Sequence, residues 1–344
     1  MVATPLDERL ARAVESASPR VELLWEPGLL PPARYAGDHA GEPAFRRDET
    51  GEARWGVLLA RAEVLYGIPG DSPAGLAEAA ARCPRLRWVQ ATSAGAGEQV
   101  RAADLPAEAL ERVTVTTASG VHAVPLAEFA VFGLLAIAKD VPRVVADQRA
   151  RTWPRPRRPI RELRGETLFI VGLGRIGLEV ARLAKAFGMR TVGFKRTAAD
   201  PPPCIDEVHT ADRLGAMIEA ADAVVVTLPG TAATRGLIDR ATIARMRPGC
   251  IFVNVGRGSV VDEEALAEAL RERRIAGAVL DVFAREPLPA ASPLWDLPNV
   301  LVSPHTSALS PREDERIVAL FLDNLRRYLA GEPLRNVVEP GAWY

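Results

Sequence analysis

Cysteine is scarce in this sequence, and neither sign of charge is in excess. The 344 residues include three cysteines, an odd number without the spacing of metal ligands, at Cys83, Cys204 and Cys250. This argues against both a disulfide framework and a zinc site. The formal net charge of −1 excludes a global field that would recruit nucleic acid or an anionic membrane surface.

Membrane and export signals are also missing. No stretch approaches the roughly 20 apolar residues that a membrane-spanning helix needs. The first ten residues contain acidic side chains and no continuous apolar core, so we expect no signal peptide. Together with the few cysteines, these absences predict a cytoplasmic protein that has no metal site and does not bind nucleic acid or membranes.

Short apolar runs alternate with helical patterns from Leu168 onward, which is typical of strand–helix–strand units in a parallel sheet. The runs are too continuously apolar for strands with one face in water. They are Leu168 to Gly172, Thr191 to Phe194, Ala223 to Leu228, Cys250 to Val255, Ala278 to Val282 and Val300 to Ser303. We therefore predict an α/β fold with a doubly wound parallel sheet of six strands.

The first 120 residues show a looser version of the same pattern. Their apolar runs are Val21 to Trp25, Glu63 to Tyr66, Trp88 to Gln90 and Val113 to Thr116, with helical stretches such as Pro73 to Arg82 between them. The length of the chain allows two domains, so we predict a second, smaller α/β domain here. A helix is predicted from Pro125 to Lys139.

An arginine-dense segment covers residues 143 to 164, and its prolines predict an absence of regular structure. Two interpretations remain open. The segment either binds phosphate groups or another subunit, or it is a solvated connector, which is the commoner meaning of a run of charges.

A glycine motif directly follows the first of the six runs and opens a helical stretch. It reads Gly172-Leu173-Gly174-Arg175-Ile176-Gly177. The first glycine permits a tight turn, the second lets backbone N–H groups approach a pyrophosphate, and the third lets the helix pack on the strand. In this context the motif predicts a dinucleotide site; alone it could be a structural turn.

The end of the next predicted strand lacks the acid that usually binds the adenosine ribose of NAD. Lys195 and Arg196 stand there instead. Cations bind the oxygens of a 2′-phosphate, whereas a carboxylate would repel them. NADP(H) is therefore the preferred cofactor, and NAD(H) stays possible if both side chains point into solvent.

Three further polar residues follow later strands. They are Arg257, Glu286 and His305, and the carboxyl ends of the strands in an open α/β sheet line the ligand crevice. Arg257 lies between glycines and can offer a planar fork to a carboxylate. A carboxylate bonded to one nitrogen of His305 would leave the other nitrogen to exchange a proton. Taken singly, an arginine in such a loop is more often a surface charge, a Glu-Pro pair is more often a turn, and a histidine is more often a packed or exposed side chain.

The chain resembles the D-isomer-specific 2-hydroxyacid dehydrogenase family over most of its length. The matching motifs are the glycine motif at 172 to 177, Thr227-Leu228-Pro229 with Thr234 to Ile238, Val253 to Gly258, Asp281 to Pro287, Ser303-Pro304-His305, Asn324 through Asn336, and Ser93-Ala94-Gly95. The sequence departs from the commonest pattern at Lys195, and at Gly97 with Glu98 after Ala96.

The resemblance implies roles for these residues. Arg257 would hold the substrate carboxylate and polarise the carbonyl, His305 would be the acid/base, and Glu286 would orient it. The cofactor would be bound by Gly172, Gly174, Arg175, Ile176, Gly177, Lys195, Arg196, Thr227, Pro229, Val255 and Asp281, with Asp281 on the nicotinamide carboxamide. Ser93, Ala94 and Gly95 would contact the substrate carboxylate.

The resemblance also implies a domain arrangement and a reaction. Residues 121–304 would form a Rossmann-like cofactor domain inserted in a smaller flavodoxin-like substrate domain, residues 1–120 plus 305–344. We expect a homodimer and hydride transfer between NAD(P)H and a small 2-oxo acid or D-2-hydroxy acid, with glyoxylate or hydroxypyruvate as candidates.

Alternatives remain within and outside catalysis. Formate or phosphite oxidation is allowed, although Glu286 counts against formate because those relatives typically carry Gln there. Phosphoglycerate oxidation is possible, although the sequence ends at Tyr344 without the regulatory domain common in that branch. A cofactor-sensing corepressor or scaffold would keep the fold and bind partners instead.

Overall fold

The computed structural model describes residues 1–197 and 200–339. The chain divides into two compact units. Met1–His122 and the segment that begins at Leu309 form the first, and Ala123–Ala308 form the second. The breaks follow His122 and Ala308 rather than residues 120 and 304, so His305 lies in the second unit and not, as predicted, with the first.

The first unit begins with five helices and three strands. The helices are α1 Glu8–Glu15, α2 Glu49–Arg61, α3 Pro73–Arg82, α4 Ala96–Ala102 and α5 Ala107–Arg112, and the strands are β1 Val64–Tyr66, β2 Trp88–Gln90 and β3 Thr114–Thr116. The strands are parallel in the order β1-β2-β3, and Val2 bridges Tyr66 beside β1. The run Val21 to Trp25 is not a strand, so that prediction was wrong: Val2 occupies the edge, and Leu24 contributes only a carbonyl to the Val2 amide.

The second unit is built on seven parallel strands. They are β4 Thr167–Val171, β5 Arg190–Phe194, β6 Glu207–His209, β7 Ala223–Val226, β8 Ile251–Asn254, β9 Gly277–Leu280 and β10 Val300–Val302. Its helices are α6 Ala123–Ala138, α7 Val141–Arg149, α8 Arg175–Ala186, α9 Leu214–Ala220, α10 Arg240–Arg245 and α11 Glu263–Arg271. The strand order is β10-β9-β8-β7-β4-β5-β6, so the direction of winding reverses between β4 and β7.

Helices cover both faces of this sheet, and this explains why the strands are apolar on both sides. Leu134 of α6 and Val180 of α8 pack on one face. Ile218 of α9, Ile243 of α10 and Leu270 of α11 pack on the other. The doubly wound α/β fold is confirmed. The strand β6 was missed because its sequence, Glu-Val-His, is not an apolar run.

The chain then returns to the first unit through the 18-residue helix α12, Glu313–Ala330. Phe321 of α12 stacks on Trp88, with ring centroids 5.0 Å apart, and meets Tyr66 edge to face at 5.3 Å. Large aromatic rings bury much apolar area and prefer such geometries. The core of the first unit is therefore completed by residues more than 200 positions after its strands.

The arginine-dense segment is partly regular. Residues 143 to 149 belong to α7, so the prediction of irregular structure was wrong there, because the prolines of the segment, Pro154, Pro156 and Pro159, all come after this helix. Residues 150 to 164 form neither helix nor strand. In the described part of the chain, no helix is both long and apolar enough to cross a membrane.

Candidate active site

The glycine motif forms a tight turn between β4 and α8. Gly172 has φ of +117°, which favours glycine. A Cβ on Gly177 would lie 2.0 Å from the Gly172 carbonyl oxygen, so only glycine lets α8 pack this closely, whereas a Cβ on Gly174 would meet nothing within 4 Å. The backbone at the N-terminus of α8 is thus open to an anion, as a pyrophosphate requires.

The neighbouring loop after β7 supports this turn at the point where the winding reverses. The Thr227 hydroxyl donates to the Gly172 carbonyl at 2.7 Å. Pro229 follows, and its carbonyl accepts from Thr234 Oγ1 at 2.6 Å. Val255, after β8, donates its N–H to Val226. These residues line one edge of the sheet, where open α/β sheets bind ligands.

Lys195 and Arg196 lie at the same edge of the sheet, directly after β5. Both residues are exposed, and residues 195 to 197 include no carboxylate. The Lys195 N–H donates to the His209 carbonyl at 3.0 Å, which fixes where the loop departs. The end of β5 therefore presents cations where an NAD-specific site would present an acid.

Arg257 lies in a loop after β8 that is held by the side chain of Asn254 and by contact with a second loop. The side chain of Asn254, buried at the end of the strand, accepts from the Gly256 N–H at 3.0 Å and donates to the Arg257 carbonyl at 3.2 Å. A Cβ on Gly258 would lie 1.9 Å from the Phe283 carbonyl carbon, so two loops meet backbone to backbone. The exposed Arg257 guanidinium donates to the Gly256 carbonyl at 2.8 Å.

Glu286 and His305 meet, as the sequence predicted. His305 Nδ1 lies 2.7 Å from Glu286 Oε2, and the other carboxylate oxygen accepts from the Phe283 N–H at 3.0 Å. The two side chains are 45% and 37% exposed, so Nε2 can reach a substrate. A carboxylate that accepts the proton of Nδ1 fixes the tautomer of the ring.

Asp281 is buried, unlike Glu286 and His305. It is 1% exposed, and its carboxylate accepts four hydrogen bonds from the loop that carries His305. Asn254 and the two serines in that loop, Ser303 and Ser307, were given no role by sequence reasoning. The available signal was their place in motifs at the ends of β8 and β10.

The segment Ser93-Ala94-Gly95 lies in the first unit, after β2. Gly95 precedes the first turn of α4, and the Ser93 carbonyl accepts from the Ala118 N–H at 3.0 Å. Ala94 and Gly95 are exposed. Among the described residues, no group of three or more His, Cys, Asp or Glu could hold a metal ion.

Residues 131–307 match the family model described as D-isomer specific 2-hydroxyacid dehydrogenase, NAD binding domain. The match spans about half of the chain. The chain belongs to the D-isomer specific 2-hydroxyacid dehydrogenase family. Members of this family are NAD(P)-dependent oxidoreductases of small 2-hydroxy and 2-oxo acids, and the resemblance found in the sequence is confirmed.

Individual relatives extend the match. The chain is 35% identical to (S)-sulfolactate dehydrogenase of Chromohalobacter salexigens, over 73% of this chain and 80% of the relative. It is 42% identical to glyoxylate/hydroxypyruvate reductase B of Pectobacterium carotovorum, over 51% of this chain and 55% of the relative. The chain spans about half the length of the D-3-phosphoglycerate dehydrogenases that it matches.

A solved structure covers the whole chain. It is a D-isomer specific 2-hydroxyacid dehydrogenase from Xanthobacter autotrophicus Py2 in complex with NADPH and MES. The TM-score is 0.76 at 30% identity, and the match covers 100% of this chain and 98% of that one. The family's fold therefore extends over both units.

Proposed function

We propose that this protein reduces a small 2-oxo acid to a D-2-hydroxy acid with NADPH. The observation that carries the proposal is the 2.7 Å contact between Glu286 and His305, at the same sheet edge as Arg257 and the glycine turn. A braced imidazole, an accessible guanidinium and a pyrophosphate turn are the three parts that such a reduction requires.

The bound dinucleotide would supply the hydride to the carbonyl carbon of the substrate. Arg257 binds the substrate carboxylate through its planar fork and polarises the carbonyl. His305, as imidazolium, gives the proton of Nε2 to the carbonyl oxygen as negative charge develops there, and Glu286 keeps the ring oriented through Nδ1. Oxidation of the hydroxy acid reverses these steps.

The cofactor preference rests on the cations after β5. Lys195 and Arg196 would bind the 2′-phosphate of NADPH, and NADH remains a weaker alternative. The experiment compares kcat/KM for NADPH and NADH. We expect a ratio well above one, and at least a tenfold fall in it for Lys195→Ala with Arg196→Ala, since hydrogen bonds to charged groups contribute about 1.5–3 kcal/mol. Arg240→Ala, on α10 and paired with Glu268, is the control. A wild-type ratio below one would refute the preference.

The candidate substrates are glyoxylate and hydroxypyruvate, by analogy with the reductase relative. A screen of NADPH oxidation with glyoxylate, hydroxypyruvate, pyruvate and phenylpyruvate tests them, with 3-phosphoglycerate, formate and phosphite assayed in the oxidative direction. We expect turnover of a 2-oxo acid. Tight dinucleotide binding without turnover of any acid would instead favour a cofactor-sensing corepressor or scaffold.

We also propose that the first unit supplies the substrate loop, Ser93 to Gly95.

We further propose that the protein is a homodimer. Large apolar side chains are exposed on α6, α7 and the irregular segment after them, namely Phe132, Val144, Trp153 and Ile160. Exposed apolar side chains that adjoin one another mark protein–protein interfaces, and these four lie on consecutive segments of the chain. Analytical ultracentrifugation should give twice the chain mass, and Trp153→Ala with Ile160→Asp should shift it toward the monomer. A monomeric wild type would contradict this.

A further inference from the structure

The loop that carries His305 is held by one buried carboxylate. Asp281 Oδ1 accepts from the Ser303 hydroxyl at 2.6 Å and from the backbone N–H groups of Thr306 and Ser307 at 3.0 and 3.1 Å. Asp281 Oδ2 accepts from the Ser307 hydroxyl. All four donors belong to residues 303 to 307, on both sides of the imidazole.

These bonds act on a turn that would not hold its shape alone. His305 has φ of +54°, a left-handed conformation that is uncommon outside glycine and is kept only where surrounding contacts enforce it. A charged carboxylate that is 1% exposed must in turn be satisfied by donors. The turn and the carboxylate therefore fix each other.

We infer that Asp281 is a positioning residue for His305, acting with Ser303 and Ser307 to hold the turn that presents the imidazole. This rests on the proposed role of His305 in proton transfer. It differs from the contact with the nicotinamide carboxamide that the resemblance implies for Asp281. Oδ1 already has three donors, whereas Oδ2 has one and could still accept a cofactor amide, so the serines separate the two roles.

Ser307→Ala is the discriminating change because it removes one donor and leaves the carboxylate in place. We expect kcat to fall about tenfold, since a displacement of about 1 Å in a catalytic group can cost up to 10²-fold. The KM for the 2-oxo acid and the Kd for NADPH should stay within about twofold. Ser307→Thr keeps the hydroxyl and should restore most of kcat, and Asp281→Asn should cost more than Ser307→Ala.

A readout that does not depend on turnover is provided by the histidine NMR signals. The chain contains four histidines, so His305→Ala assigns the fourth C2–H resonance directly. In Ser307→Ala and Asp281→Asn, the chemical shift and titration midpoint of His305 should change, while those of His39, His122 and His209 stay. Ser292→Ala, which removes a hydroxyl in the second unit outside this loop, should move none of them.

The outcomes separate the inference from the function beneath it. If His305→Ala keeps its activity, the proposed function fails. If His305→Ala is inactive but Ser307→Ala and Asp281→Asn keep full kcat and an unshifted His305 signal, the positioning role alone is overturned. A raised Kd for NADPH with unchanged kcat in Asp281→Asn and no effect of Ser307→Ala would assign Asp281 to the cofactor instead.

Discussion

Carboxylates lie beside imidazoles at several places in the described residues, and two of these places, one in each unit, can be compared. In the second unit, Glu286 and His305 are 37% and 45% exposed at a sheet edge. In the first, Glu313 at the start of α12 lies between two histidines, with Oε1 at 3.0 Å from His122 Nε2 and 3.5 Å from His39 Nε2. The three side chains of this buried triad are 5%, 15% and 8% exposed, in that order.

The difference in exposure changes what the same groups can do. Burial works to raise the pKa of Glu313, but the hydrogen bond with His122 and the nearby imidazole of His39, 3.5 Å away, outweigh it and lower the pKa to about 2. Burial likewise works to lower the pKa of His39, and Glu313 and Asp314 reverse this and raise it. Glu313 and His39 therefore favour each other's charged forms inside the fold, whereas Glu286 and His305 are open to solvent.

Removing the exposed imidazole should have the largest effect. We expect His305→Ala to lower kcat by about 10²–10⁴-fold, because proton transfer to the developing alkoxide contributes that much. Its Kd for NADPH and its melting temperature should stay near wild type. Steady-state kinetics and dye-free thermal unfolding check this, and a variant that keeps more than about a tenth of the wild-type rate contradicts it.

The matched change in the buried triad should affect stability instead. Glu313→Ala removes the carboxylate between two imidazoles, and breaking a buried pair costs about 3–5 kcal/mol. We expect the unfolding free energy in urea to fall by about this amount while kcat per folded molecule stays. Unchanged stability would mean that Glu313 and His39 do not carry the charges inferred for them.

Exchanging each acid for its amide sharpens the contrast. We expect Glu286→Gln to lower kcat about tenfold without a change in melting temperature, because the amide still contacts His305 but does not stabilise the imidazolium. Glu313→Gln should instead lower the melting temperature and leave kcat per folded molecule unchanged. Equal effects of the two changes on kcat would remove the distinction drawn between the sites.

The smallest effect is expected from pH. Glu313 has a lowered pKa, so its contribution to stability is present above its ordinary value of 4.5 and is lost as the pH falls toward about 2. His39 has a raised pKa, so its contribution is present below 6.5 and is lost as the pH rises through the folded value. Asp314, whose pKa burial raises, opposes folding once the pH exceeds 3.8.

The first unit should therefore be most stable between about pH 4.5 and 6.5. Thermal unfolding followed across pH 3 to 9 tests this. His39→Asn should flatten the alkaline side of the curve. A wild-type optimum above pH 8 would contradict the charge states assigned to Glu313 and His39.

The exposed pair was predictable from sequence and the buried triad was not. Glu286 and His305 follow consecutive strands, and in a parallel sheet such ends meet at one edge. His122 and Glu313 are 191 residues apart, and their contact depends on α12 returning to the first unit. No local pattern in the sequence contains that information.

Within the site, the residues with a chemical role could be predicted from sequence, whereas the contacts that hold them in place could not. Arg257 and the glycines could be identified because their residue types match a task. The hydrogen bonds of Asp281 with Ser303 and Ser307 could not be predicted, because they depend on how the five-residue turn from 303 to 307 folds over a buried carboxylate. The edge strand β6 was not predicted because a half-buried edge strand does not need a continuous apolar run.

The contact of Gly258 with Phe283 has a consequence for redesign of this enzyme. Main chain touches main chain there, so the loop that carries Arg257 and the loop that begins at Phe283 leave no room for a side chain at position 258. Attempts to change which acids are accepted should therefore keep glycine at position 258 and vary residues elsewhere, because even a methyl group there would displace one of these two loops.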